Sequence, residues 1–473
     1  EQEFGDVELG DKRLRDRLMK IVGDRFKKPN GSYLAATAGD RAAVKGYYYF
    51  IDHPGETLNQ ETIQATHRTR TMERMMAYDK VLVVQDTTDL NYSSRHHTTG
   101  LGFIGTNQTQ AESLGLKVHT SFALTPEGLP LGVLSTAISA PERKGEEGKS
   151  SVGRPIEEKK SFRWIEVYRD CVAIAKQMPK SRILNVMDRE ADIFELFVEA
   201  APTRHRVGLL VRAKYDRHLV DSERKLWEEL AASPAATQIE VLIPRQRWKK
   251  AKGQKPEQKG LRARKALLTV KYAPVSVGST RSDLKSSAPI KLWGVYAVEE
   301  NPPLDAEKID WMLLTTEQIQ TPEDAAGILD LYCRRWRIEE WHRILKSGCM
   351  VLEHQHETGE RLKRAIAIDA VLAWRIQLMT LLGREVPELP ATVLFEGWEV
   401  KVLEALREKK AKKKIQAPLL LGEAVIETAK LGGYMARRSD PPPGCECFWK
   451  GLIDLYLMTD GYSIDFENDF RDF

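Results

Sequence analysis

The sequence predicts an α/β protein, a mixed sheet flanked by helices, and three observations carry that prediction. Short β-branched runs, each too short for a helix, recur between amphipathic stretches from about residue 80 to 212. Their order is strand, hairpin, helix, strand, helix, strand, which calls for parallel neighbours joined by right-handed crossovers. Both ends of the chain, by contrast, carry helical spacing with little alternation.

Residues 1–60 read as helical: Leu14, Leu18, Ile21 and Val22 recur at helical spacing, and Asp40 is placed to cap a second helix running through Phe50 before Pro54. This segment is rich in Lys and Arg and carries Tyr47, Tyr48, Tyr49 and Phe50, so it reads either as a small bundle with a solvated basic face or as a domain that binds DNA ends. Lys80 to Gln85 is a buried strand ending at Asp86-Thr87-Thr88. Leu116–Leu124 and Leu131–Ile138 form a hairpin around Thr125-Pro126-Glu127-Gly128. After the Gly-, Lys- and Glu-rich stretch 142–158 comes a helix over 161–178, with Trp164, Tyr168, Cys171 and Ile174 or Ala175 on one stripe. A strand from Arg182 to Met187 runs into Asp188, a short helix begins near Ala191, and Val207–Arg212 is a further strand.

This order matches a ribonuclease H-like sheet. The α/β rhythm pauses over about 218–310, where Ile239–Ile243, Ala266–Tyr272 and Lys291–Val298 alternate as a β-rich insertion. It resumes with a helix from about Pro322. The expected organisation is a helical domain at 1–60, a catalytic domain at 61–382 containing the insertion, and a helical domain at 383–473. A chain of 473 residues suggests about two to four domains, in keeping with that division.

Whole-chain charge says little, because 72 basic residues nearly balance 68 acidic ones and leave +4. The five cysteines (Cys171, Cys333, Cys349, Cys445 and Cys447) are odd in number and scattered, which fits a reducing compartment better than a disulfide framework. No signal peptide is evident, and no apolar run approaches the ~20 residues of a bilayer span. The expectation is a cytoplasmic, nucleoid-associated protein with no membrane partner.

Location, not residue type, separates Asp86 and Asp188 from the other acids. Each follows an apolar strand at its carboxyl end, where open α/β sheets bind ligands. If those strands are parallel neighbours, two carboxylates lie side by side and repel unless a cation sits between them. Oxygen ligands favour Mg²⁺, with Mn²⁺ able to substitute. A third acid comes from the segment Tyr332 to Lys346. At about 100° per residue Tyr332, Arg335, Glu339, Arg343 and Lys346 share one quadrant, while Ile338, Trp341 and Leu345 lie opposite. Glu339 is thus either a ligand among cations or the acid of an ordinary i, i+4 salt bridge to Arg335 or Arg343. Glu340 points about 100° away.

Three blocks resemble the bacterial insertion-sequence-four group of DDE transposases, the group of the transposon Tn-five enzyme. They are Asp86-Thr87-Thr88 with Leu90 and Tyr92, Asp188-Arg189-Glu190-Ala191-Asp192-Ile193, and Tyr332 through Lys346, where the family signature Y-x2-R-x3-E-x6-K falls without gaps. The resemblance implies that Asp86, Asp188 and Glu339 are the catalytic, metal-binding triad, holding two Mg²⁺ ions. It implies that Tyr332, Arg335 and Lys346 hold phosphates beside the scissile bond. Arg343, Arg189, Arg212 and Lys214 join them as DNA contacts, and Trp311 falls where the family stacks a flipped base; by its strand position alone Trp311 is equally a core residue. The implied activity is cut-and-paste transposition: 3′ nicking, hairpin formation and opening, then strand transfer into target DNA by a homodimer that pairs two transposon ends.

Arg245 to Lys265 holds ten basic residues and one acid, Glu257, around Trp248. It reads as a solvated loop or a DNA contact, and a nearby carboxylate cluster favours the second because phosphate repulsion must be offset. The lysine run 409–414 is a linker or a contact. The apolar stripe of 448–456 serves core packing or a dimer interface. Two rivals remain in view: a DNA-binding regulator without catalysis, and a nuclease acting on RNA–DNA hybrids. The first would tolerate loss of the triad, and the second would need neither the Tyr332/Arg335/Lys346 face nor the insertion.

Overall fold

In the computed structural model, which describes residues 2–469 except 38, 107–110, 143–154, 244–262, 280–287 and 305, the chain opens with four helices: α1 (Lys12–Lys27), α2 (Tyr33–Ala36), α3 (Arg41–Ile51) and α4 (Gln60–Met75). Asp11 caps α1 through the Arg13 N–H, and Asp40 caps α3 through Ala42 and Ala43. The aromatic run divides by helical phase. Tyr47 and Phe50 are buried, and Tyr48 and Tyr49 are exposed.

The sheet comes next: β1 (Lys80–Asn91), β2 (Gly102–Thr106), β3 (Glu112–Leu124), β4 (Pro130–Ser139), helix α5 (Phe162–Gln177), β5 (Arg182–Met187), helix α6 (Phe194–Ala200) and β6 (Val207–Arg212). Strand β1 is antiparallel to β3 and parallel to β5, β3 is antiparallel to β4, and β5 is parallel to β6. The path β4-β3-β1-β5-β6, three antiparallel strands and then two parallel ones, is the ribonuclease H-like topology.

Helix α7 (Leu226–Ala232) leads to β7 (Ala235–Ile243), β8 (Arg264–Val277), β9 (Ile290–Glu299) and β10 (Asp310–Thr315). These strands do not stand apart as a lobe. β10 pairs antiparallel with β6, and β9, β8 and β7 add on outward, so the insertion prolongs one ten-stranded sheet. Alternation marks a strand but carries no information about its neighbour, and the open edge of β6 supplies that neighbour. The basic run expected at 245–265 lies outside the described residues except at its carboxyl end.

Two cores cover the two faces. Leu82, Val84, Leu184 and Val186 pack with the N-terminal helices and with the last elements, whereas Val81, Val83, Ile183 and Met187 pack with α5, α6 and α7; this is the period-two alternation of strands buried on both sides. The last elements are α8 (Pro322–Cys333), α9 (Trp336–Arg343), α10 (Gly359–Glu385), α11 (Gly397–Ala411), α12 (Leu421–Leu431) and α13 (Cys445–Asp469). Helix α10 is long and apolar enough to cross a bilayer by length and composition, contrary to the sequence reading. Its most apolar stretch is 83% buried, as the central helix of the first core. The N-terminal helices are anchored to it by a buried ion pair, Arg25 Nη2 to Asp369 Oδ1 at 2.7 Å.

Candidate active site

The site is built where β1 and β5 part. Their parallel register pairs Val84 with Val186. Two residues beyond that last pair, one on β1 and one at the start of the turn after β5, stand Asp86 and Asp188. Adjacent strands lie about 4.8 Å apart, so the two carboxylates are neighbours. One expectation is corrected here: Asp86 does not end its strand. β1 continues to Asn91 because β3 still pairs with it, Asp86 opposite Thr120; what has ended, at Val84, is the pairing with β5. Asp188 caps the turn after β5, accepting the Glu190 N–H at 2.8 Å.

The third segment lies over this face. Ile338, Trp341 and Leu345 are fully buried, with the Trp341 ring 5.7 Å from that of Phe122 on β3. The segment is not one regular helix. α8 closes at Cys333, α9 starts at Trp336, and residues Ile344–Gly348 form a π-helical turn. A π turn changes the phase of the residues beyond it, and such turns concentrate at functional sites. Here it carries Lys346, whose Nζ donates to Thr88 Oγ1 on β1 at 2.6 Å. Arg343, expected on the same face, is half-buried and lies near enough to Cys445 of α13 to influence its thiol.

Arg335 is the hub. Its Nη2 donates to Glu339 Oε1 at 2.6 Å, and its Nη1 lies 3.8 Å from Asp86 Oδ2. The intrahelical salt bridge that the spacing allowed is therefore present. Tyr332 is buried beneath Arg335, and burial raises its phenol. Burial also pushes the Asp86 carboxyl up, to about 7; Arg335 opposes the rise, while Asp188 and Glu339 add to it. Asp86 thus feels the charge of both other acids. Burial lowers Lys346, against the pull of Asp89 and Asp86.

Among the described residues, no three His, Cys or carboxylate side chains stand close enough together to hold a metal ion. Glu339 is turned onto Arg335. The residues nonetheless fit a hard divalent ion chemically: all three are oxygen donors, and the burial and mutual repulsion that raise Asp86 are what a cation would relieve.

On the far side of Asp188, Arg189 and Lys214 are exposed. Arg212 Nη2 donates to the Asp310 carbonyl at 3.2 Å, with its guanidinium 5.8 Å from the centre of the Trp311 ring. Trp311 itself is buried, edge-on to Tyr332 at 5.7 Å. In this conformation it packs beneath the site and is not offered to a base, because strand alternation turns it into the first core. Sequence reasoning missed His342. Its Nδ1 lies 3.8 Å from Asp86 Oδ2, its Nε2 is buried without a hydrogen-bond partner, and burial drives it down to about 3, so the ring is neutral. The available signal was its position, one helical turn beyond Glu339.

Two family models match the chain. A transposase DNA-binding model covers residues 1–55, and the Tn5 transposase dimerisation domain covers residues 371–467. Among solved structures, the chain is similar to a piggyBac transposase synaptic complex with hairpin DNA, at 8% identity over 94% of this chain and 76% of that one, with a TM-score of 0.35. That overlap is too slight to bear on the site.

Proposed function

We propose that this chain is a Tn5-like transposase, with a transposase DNA-binding domain and a Tn5-type dimerisation domain at its two ends, and that Asp86, Asp188 and Glu339 are its catalytic triad. One observation carries the proposal: Asp86 and Asp188 each lie two residues beyond the last pair of the parallel β1/β5 register and close enough for Asp188 to act on Asp86, beneath a segment that brings Arg335, Glu339 and Lys346 to β1. A metal-dependent DNA phosphoryl transferase needs that combination, acids to hold cations and fixed cations to meet phosphate.

Bound Mg²⁺ or Mn²⁺ at these oxygens would activate water or a 3′-hydroxyl and stabilise the departing oxygen. Arg335 stands between Glu339 and Asp86 and engages Glu339 more closely. A phosphate offers the guanidinium a better bidentate partner than one carboxylate oxygen, and capture of that phosphate releases Glu339 toward the aspartates. Lys346, fixed on Thr88, places a second positive charge beside β1, and Arg189 and Lys214 do the same beyond Asp188. Tyr332 holds Arg335 from below. His342, neutral and buried, keeps water from the inner side of Asp86. The reaction series is 3′ nicking, hairpin formation, hairpin opening and strand transfer into target DNA, carried out by a dimer on two paired ends.

The test is cleavage of duplex DNA bearing the element's own terminal repeats in Mg²⁺. The unaltered chain cleaves, and Asp188→Ala retains binding in a gel-shift assay while losing at least about a thousandfold in cleavage rate, the scale of removing a central electrostatic group. Retained cleavage in Asp188→Ala excludes this triad.

A further inference from the structure

Asp192 lies four residues beyond Asp188, and its side chain is wholly buried. A buried carboxylate needs compensation, and here one loop supplies it, by hydrogen bonds to Oδ2 and, at Oδ1, by the Arg217 ion pair alone, Nη1 at 2.6 Å. Oδ2 accepts the backbone N–H groups of Lys214 at 2.7 Å and Tyr215 at 3.0 Å, and also Arg217 Nη1 at 2.7 Å. Arg217 Nη2 returns to the Asp192 carbonyl at 3.0 Å. The residues so fixed come directly after β6. Two of them, Lys214 and Tyr215, are exposed, with the ammonium 5.4 Å from the ring centre, and Arg217 backs the same ring at 5.5 Å.

Two consecutive N–H groups bound to one carboxylate specify a loop conformation that no pairing strand imposes. The acid doing so belongs to the turn that carries Asp188. We infer that Asp192 is a positioning residue: through Arg217 and the two N–H groups it sets the place of Lys214 relative to Asp188, so that a DNA phosphate gripped by Lys214 arrives in register with the carboxylates. The inference rests on the proposed triad for its consequence in cleavage, but its consequence in binding is separate.

The experiment compares Asp192→Asn, Lys214→Ala and the double variant in the full chain, using terminal-repeat DNA. Affinity is measured across a salt series, and single-turnover cleavage at saturating DNA in Mg²⁺. Loss of one phosphate contact makes the slope of log K against log salt shallower by about 0.9. Asp192→Asn is expected to show that change and at least a tenfold slower cleavage, with the double variant no worse than Lys214→Ala alone, because both changes remove one contact. Asp192→Glu, retaining the charge, should recover part of the slope. A fold defect alone would alter melting temperature and active fraction without altering the salt slope. Arg217→Lys, which keeps the charge but loses the fork, carries the same test if Asp192→Asn does not fold. An unchanged salt slope in Asp192→Asn, or effects that add fully to those of Lys214→Ala, overturns the inference. If the unaltered chain fails to cleave at all, the triad is wrong, while the salt slopes still judge Asp192.

Discussion

Asp86 should be a burden on the metal-free protein, and Asp86→Asn should relieve it. Its carboxyl has an ordinary value of 3.8 and is pushed to about 7, first by burial and then by Asp188 and Glu339, with Arg335 and the Thr87 N–H pulling the other way. Proton binding fixes the sign. Below pH 3.8 the group is neutral whether the chain is folded or not, and it contributes nothing. Between 3.8 and 7 the folded state holds a proton that the unfolded state has released, so stability falls as pH rises. Above 7 the loss is complete, about 4 kcal/mol at roughly 1.4 kcal/mol per pH unit. Asparagine keeps the shape and can still accept the Thr87 N–H, which donates to Asp86 Oδ1 at 2.8 Å. The assay is urea unfolding of both proteins in chelator at pH 4, 5.5, 7 and 8. The variant should match the parent at pH 4, gain steadily, and lead by a few kcal/mol at pH 8. Saturating Mn²⁺ should narrow the gap by binding only the parent. A variant that is less stable at pH 8, or a gap that does not change with pH, refutes the reasoning.

Glu3 gives the opposite sign. Burial alone would raise it, yet hydrogen bonds to His67 and Arg74 hold it at about 2. Its contribution, about 3 kcal/mol, is therefore complete above pH 4.5 and lost as pH falls toward 2; Glu3→Gln should be less stable than the parent at pH 7 and converge with it at the acid end of a pH series of urea melts. At the other end of the chain, a Cβ on Gly451 would lie 1.7 Å from the Thr428 carbonyl oxygen, and one on Gly432 would lie 1.9 Å from that of Cys447. Helices α12 and α13 thus meet backbone to backbone within the segment matching the dimerisation domain. Gly451→Ala should cost about 1–3 kcal/mol or more and weaken self-association measured by sedimentation; an unaltered melt and association constant would mean that the helices can part freely.

Much of this molecule was legible in one dimension because the relevant physics is local. Short apolar runs marked β1 and β5 as buried strands with Asp86 and Asp188 just beyond them, and the structure made those strands parallel neighbours. Helical spacing placed α1, the cap Asp40 placed α3, and the apolar spacing of Ile338, Trp341 and Leu345 identified the buried side of the third segment. What local pattern could not decide was every matter of neighbour and phase. A uniform helix of 100° per residue put Arg343 and Lys346 together, and the π turn at Ile344–Gly348 changes the phase between them. The β-rich insertion was visible as strands, but only the free edge of β6 made them part of one sheet. The spacing of Glu339 allowed both a ligand and a salt bridge, and the packing shows the salt bridge to Arg335. Periodicity reports which side of an element is dry; which charge faces which, and at what distance, is fixed only when distant segments pack together.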